Sequence, residues 1–130
     1  MGKPVAKEGD RVVGLDTHVV LVSGPAGPVP TPLPLPFSGP LSGSLSSTVC
    51  VDGAAAATVD SQAQNTPAHI PVGGPFQRSP SNTGTVKQGS STVFADNKGL
   101  ARAGDPADCC NDPADSPTGH VVAGGTVLAG

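Results

Sequence analysis

Glycine or proline interrupts nearly every stretch of this sequence that could hold a helix. No apolar spacing of three and four residues survives between the interruptions. β-Branched runs are frequent instead: "RVVGLDTHVVLV" (11–22), "STVCV" (47–51), "STVFA" (91–95), "HVV" (120–122) and "TVLA" (126–129). Runs of this kind between turn residues predict short strands. The expected fold class is all-β, in one domain spanning 1–130.

The side chains available to such a fold are small. The aromatics are Phe37, Phe76 and Phe94, with no Trp or Tyr, and the 18 Gly and 15 Pro leave mainly Val and Ala for a core. A chain of this kind needs an external staple or a partner surface. Low charge and regular Val-rich segments argue against disorder. The net charge of −3 is mild and the Lys and Arg residues are scattered, so no nucleic-acid partner is expected. No apolar run approaches a membrane span, and "MGKPVAKEGD" lacks the apolar centre of a secretory signal. The expectation is a protein made and folded in the cytoplasm. There, thiol or metal chemistry is favoured over disulfides for the three cysteines.

"SGPAGPVPTPLPLPFSGP" (23–40) carries Pro at every second or third position. It predicts a polyproline-like loop over 23–46, lying on the body and excluded from a central strand. A second Pro/Gly/Asn-rich connection runs over 65–84.

An internal repeat constrains the architecture further. "SSTVCVDGAAAATVDS" (46–61) and "SSTVFADNKGLARAGD" (90–105) align without a gap, and "GGTVLAG" (124–130) reads as the start of a third copy. Three related strand–turn units suggest a pseudo-threefold body. Such a body suits a cap on a threefold-symmetric partner. In this alignment Cys50 matches Phe94, and it is expected to be a small buried apolar residue.

The side chains able to do chemistry are few. His18, His69 and His120 each end a polar stretch as an extended segment begins, and Cys109 and Cys110 stand side by side in "GDPADCCNDPADSPTGH". Three imidazoles and a thiolate make a tetrahedral zinc set. The predicted ligands are His18, His69, Cys110 and His120, with Cys109 as the alternative to Cys110. Four protein ligands close the coordination sphere, so one structural Zn²⁺ per chain is expected. It would tie distant segments together with roughly 10–16 kcal/mol of apparent binding free energy. Adjacent residues of an extended segment point to opposite faces, so one site takes one of the two cysteines. A thiol hydrolase would use Cys110, with His120 as base and Asp112 or Asp115 as orienter. No oxyanion loop or helix N-terminus supports that reading. The acidic positions Asp105, Asp108, Asp112 and Asp115 lack the ligand density of a calcium loop and read as solvated turn residues.

Several of these motifs resemble a known pattern. "DNKGLARAGDPADCCNDPAD" (96–115) resembles the signature of PAAR-repeat proteins, with Gly99-Leu100-Ala101-Arg102 followed by Gly104-Asp105. "GPVPTPLPLPFSG", "NTPAHIPVGGPF" and "CNDPAD" are similar to a longer PAAR-like subgroup of contractile injection systems, and the resemblance covers essentially the whole chain. It implies a small cone of short strands with a metal near its apex. The base of the cone sits on a trimeric β-helical spike protein and sharpens it for piercing a target envelope in a type VI secretion or phage-tail-like machine. It also implies a non-enzymatic protein, assembled in the cytoplasm and delivered at the tip, with effector cargo as a further partner. Val49, Val93 and Val127, one from each repeat copy, are the expected spike-facing residues. The sequence departs from the subgroup at Leu35, where a ligand His is expected, and His120 is expected to fill that vacancy. A free-standing zinc-binding β module that recruits a partner protein is the other class of function open at this point.

Overall fold

The computed structural model describes residues 2–130, and no helix occurs among them. Twelve strands follow one another: β1 (Lys3–Pro4), β2 (Arg11–Gly24), β3 (Gly27–Gly43), β4 (Cys50–Val51), β5 (Ala54–Ala55), β6 (Gln62–Gln64), β7 (Thr83–Val86), β8 (Phe94–Ala95), β9 (Lys98–Gly99), β10 (Pro106–Cys109), β11 (Ser116–Val122) and β12 (Leu128–Ala129). Six of them close an antiparallel barrel in the order β10-β11-β2-β3-β6-β7. The other six pair as β4–β5, β8–β9 and β1–β12. The fold is all-β, as the sequence predicts.

The repeat has a physical counterpart. β4–β5 and β8–β9 are two-residue hairpins whose central residues, Asp52-Gly53 and Asp96-Asn97, all have positive φ. Two positive φ values are what a type I′ turn requires, and Asp, Asn and Gly reach them at least cost. The third unit is made from both ends of the described chain, with Pro4 opposite Leu128 as Ala55 is opposite Cys50.

Beyond the hairpins the three units meet in a ring of backbone hydrogen bonds. Ala6 N–H donates to Ala101 O (2.8 Å), Ala101 N–H to Ala57 O (2.9 Å), and Ala57 N–H to Ala6 O (3.0 Å). All three alanines are fully buried. Three backbones this close leave no room for larger side chains, which is why small residues run through the repeat. Val5, Ala56 and Leu100 form a buried layer on the hairpin side, together with Val51, Ala95 and Ala129. On the barrel side the matching triples are Val12, Ala63, Ala107 and Leu41, Val86, Val121. The amides of Leu41, Val86 and Val121 bond in turn to the carbonyls of Asp10, Ser61 and Asp105.

The alternation of strand side chains corrects the expectation for Cys50. It is exposed, as are its counterparts Phe94 and Leu128, while the next residue of each strand turns inward.

The Pro-rich stretch is also corrected. It is a 17-residue strand, β3, paired with β2 from Gly24↔Gly27 to Arg11↔Pro40. The prolines at 28, 30, 32, 34 and 36 fall on alternate positions, opposite odd-numbered residues of β2. The amides of Thr17, Val19 and Leu21 face away from β3 and bond to Asn111 Oδ1 (2.7 Å), Asp112 Oδ2 (2.8 Å) and Pro75 O (2.8 Å). The missing proline N–H groups therefore belong to the free edge of β3, where proline is tolerated. Among the described residues, the other strand paired with β3 is β6, at Leu41–Gly43.

Candidate metal centre

β2 continues past the barrel layer of Val12 and carries Asp16 and His18 two residues apart, hence on one face. His69 comes from the connection between β6 and β7, and Cys110 follows β10 directly. One ligand atom from each of Asp16, His18, His69 and Cys110 lies within 4.8 Å of every other. Asp16, His18 and Cys110 are buried, and the His69 side chain is 2 % exposed. A buried Asp–His–His–Cys group of this size can hold a metal ion.

Three of the four predicted ligands meet here, and the fourth member is Asp16. His120 lies on the exposed face of β11, opposite Pro106 and Val13, because the strand turns Gly119 and Val121 inward on either side of it. Cys109 points into the barrel instead of toward the group: a Cβ at Gly119 would come within 2.5 Å of its Sγ, and one at Gly84 within 3.4 Å. Asp16 was legible in one respect. In "LDTHVV" it stands at i−2 from His18 in a β-branched run, which places both on one side of a strand.

Asp16 organises the group. Its Oδ2 lies 2.8 Å from His69 Nε2 and 3.4 Å from Cys110 Sγ, and its Oδ1 accepts from Thr118 Oγ1 at 3.4 Å. The His18 ring packs against His69 at 5.0 Å between centroids, with Phe76 edge-on at 5.8 Å. Both His18 ring nitrogens are buried with no hydrogen-bond partner. Orphaned polar atoms at such a site are costly unless something absent from the protein satisfies them. The donor set fits a divalent cation of the borderline-soft class: two imidazoles, a thiolate and a carboxylate.

The electrostatics agree. Burial lowers the pKa of His18, keeping it neutral as a ligand must be. Burial, reinforced by the Asp16 charge, pushes the Cys110 thiol up to about 11, while hydrogen bonds from the Asn82 amide and Ser81 hydroxyl act in the opposite sense. A thiol held protonated is a poor nucleophile on its own. It becomes a thiolate when a cation supplies the compensating charge.

The segment after Cys110 locks β2 in place. Asn111 and Asp112 act as a side-chain substitute for a neighbouring strand, taking the amides of Thr17 and Val19 on either side of His18, while Asp112 N–H donates to Thr17 O (2.8 Å). Asp112 also pairs with Arg78 (2.9 Å) and lies 3.6 Å from His18 Nδ1. Burial pushes the Asp112 carboxyl up, but the Val19 amide and Arg78 outweigh it and hold the group below its ordinary range. Asp112 is therefore not a solvated turn residue, and neither is Asp105, which is buried and bonded to Arg102.

Comparison with protein-family models, with curated proteins and with solved structures returns no match. No helix among the described residues is long and apolar enough to cross a membrane.

Proposed function

We propose that this chain is a non-enzymatic, metal-stapled cap for a threefold-symmetric spike, of the PAAR-like kind that its motifs resemble. The observation that carries the reading is the cyclic hydrogen-bond ring of Ala6, Ala57 and Ala101, with three equivalent units around it. At the hairpin end these units present Val49, Val93 and Val127 at 36 %, 38 % and 41 % exposure, and Cys50, Phe94 and Leu128 beside them. Near-equal exposure of matched apolar residues suits one partner surface repeated three times. The metal group lies beyond the opposite side of the barrel layer, where the β6–β7 connection and the end of β10 meet β2.

Zn²⁺ suits the donor set, held by Asp16, His18, His69 and Cys110. When bound it supplies a crosslink among three segments of the chain and neutralises the buried Asp16 and Cys110 charges. The residues themselves supply rigidity: the Asn111–Asp112 clamp fixes β2, and the small-residue axis fixes the base. Force applied at the base would pass through the closed barrel to the metal-crossed end of the molecule. Sheath contraction would then drive the tip through a target envelope, with effector cargo as an additional passenger.

The test is association with a trimeric β-helical spike protein from the same genome, by native mass spectrometry. One chain per trimer is expected, with binding weakened at least tenfold in a Val49→Asp, Val93→Asp, Val127→Asp triple variant that retains its melting temperature. A zinc-loaded, folded protein that binds no trimer would favour the free-standing module.

A further inference from the structure

Asn65, buried just after β6, faces the outer side of His69. Its Oδ1 accepts the Ser38 main-chain N–H at 3.0 Å, which fixes Nδ2 as the atom on the other side. That Nδ2 lies 3.3 Å from Asn82 Oδ1 and 3.2 Å from His69 Nδ1. Asn82 Oδ1 is fixed as an oxygen in its turn, because it accepts the His69 main-chain N–H at 2.9 Å, and Asn82 Nδ2 donates to Pro80 O at 3.4 Å. Main-chain donors cannot be turned round, so the hydrogen-bond network assigns both amides.

An amide NH₂ group only donates. His69 Nδ1 must therefore accept, and the neutral ring keeps its proton on Nε2, 2.8 Å from Asp16 Oδ2. That is the nitrogen the metal group needs bare. Histidine ligands of metals ordinarily donate their outer N–H to an acceptor. Here the outer partner is itself a donor. For Nε2 to ligate, its proton must leave and another must be taken up at Nδ1, where it would meet the Asn65 NH₂.

We infer that Asn65 is a positioning residue that holds His69 in the Nε2–H tautomer and so keeps zinc affinity below what its four ligands allow. The inference rests on the metal reading above. It makes the metal-free group a satisfied arrangement around Asp16, in which His69 Nε2–H, Cys110 S–H and Thr118 O–H all donate to one carboxylate. His18 alone is left without partners.

Two measurements test it. Nitrogen-15 NMR of the His69 ring in the metal-free protein should show the proton on Nε2. In Asn65→Asp the carboxylate can accept both Ser38 N–H and Nδ1–H; it also loses the hydrogen bond to Asn82 Oδ1, a cost to folding and not to the ring, so the proton should move to Nδ1, and competition with a chromophoric chelator should show zinc held about 10- to 100-fold more tightly. A wild-type ring protonated on Nδ1 overturns the inference, as does a folded Asn65→Asp protein that binds zinc no more tightly. Should Asn65→Asp fail to fold, the wild-type tautomer decides. A wild type that takes up no zinc overturns the metal reading and the affinity claim with it, whereas the tautomer measurement still decides what Asn65 does to the ring.

Discussion

Asp16 stands directly opposite Leu35 in the β2–β3 ladder. On the PAAR-like reading proposed above, Leu35 is the position where a ligand histidine is expected, and Leu cannot ligate. Directly opposed residues share a face of the sheet at about 4.5–5.5 Å between Cβ atoms. The carboxylate therefore enters the group from the neighbouring strand at the same level. Asp16→Ala should abolish stoichiometric zinc, and Asp16→Ala combined with Leu35→His should recover it. Elemental mass spectrometry of the purified proteins reads both; a double variant as empty as the single one would break the equivalence.

Single-ligand variants should separate the members of the group from their neighbours. Cys110→Ala and His18→Leu lose the metal. His120→Ala keeps it and melts like the wild type, since the side chain is exposed. Cys109→Ala also keeps it but loses on the order of 1 kcal/mol of stability, the cost of a small cavity in the barrel. Metal content set beside thermal melting distinguishes the three outcomes.

The metal-free protein should lose stability on the acid side through His18. Burial lowers its folded pKa below the ordinary 6.5, so its contribution is complete above 6.5 and is lost as pH falls through the lower folded value, because the unfolded chain takes up the proton first. The cysteines act on the alkaline side. Burial raises Cys110 to about 11 and Cys109 to about 12, so the stability they contribute is lost as pH rises from about 9 through those values. Urea midpoints measured across pH should flatten below 6.5 in His18→Leu.

The alanine ring sets a packing limit. Ala57→Val adds two methyl groups at the threefold axis and should cost about 1–3 kcal/mol by overpacking. The same change at half-buried Ala54 should cost far less. Equal losses at the two positions would argue that the ring is not close-packed.

Much of this molecule could be read from short-range patterns. Glycine and proline recur too densely for any helix to propagate between them, so the all-β class followed. Asp-Gly and Asp-Asn three residues after a Thr-Val pair specify tight hairpins, so the repeat was visible, as were His18, His69 and Cys110 as potential ligands. Other features depended on parity and register, which no local pattern contains. Proline blocks a strand only where its missing N–H is needed, and alternate spacing puts that gap on the free edge of β3. A one-residue step in a strand reverses a side chain, so Cys110 joined the group while Cys109 filled the barrel, and His120 faced outward between inward neighbours. The third repeat unit needed β1 and β12, from opposite ends of the sequence, to meet. Asp16 gained its place from the cross-strand register, through long-range pairing that only the closed barrel decides.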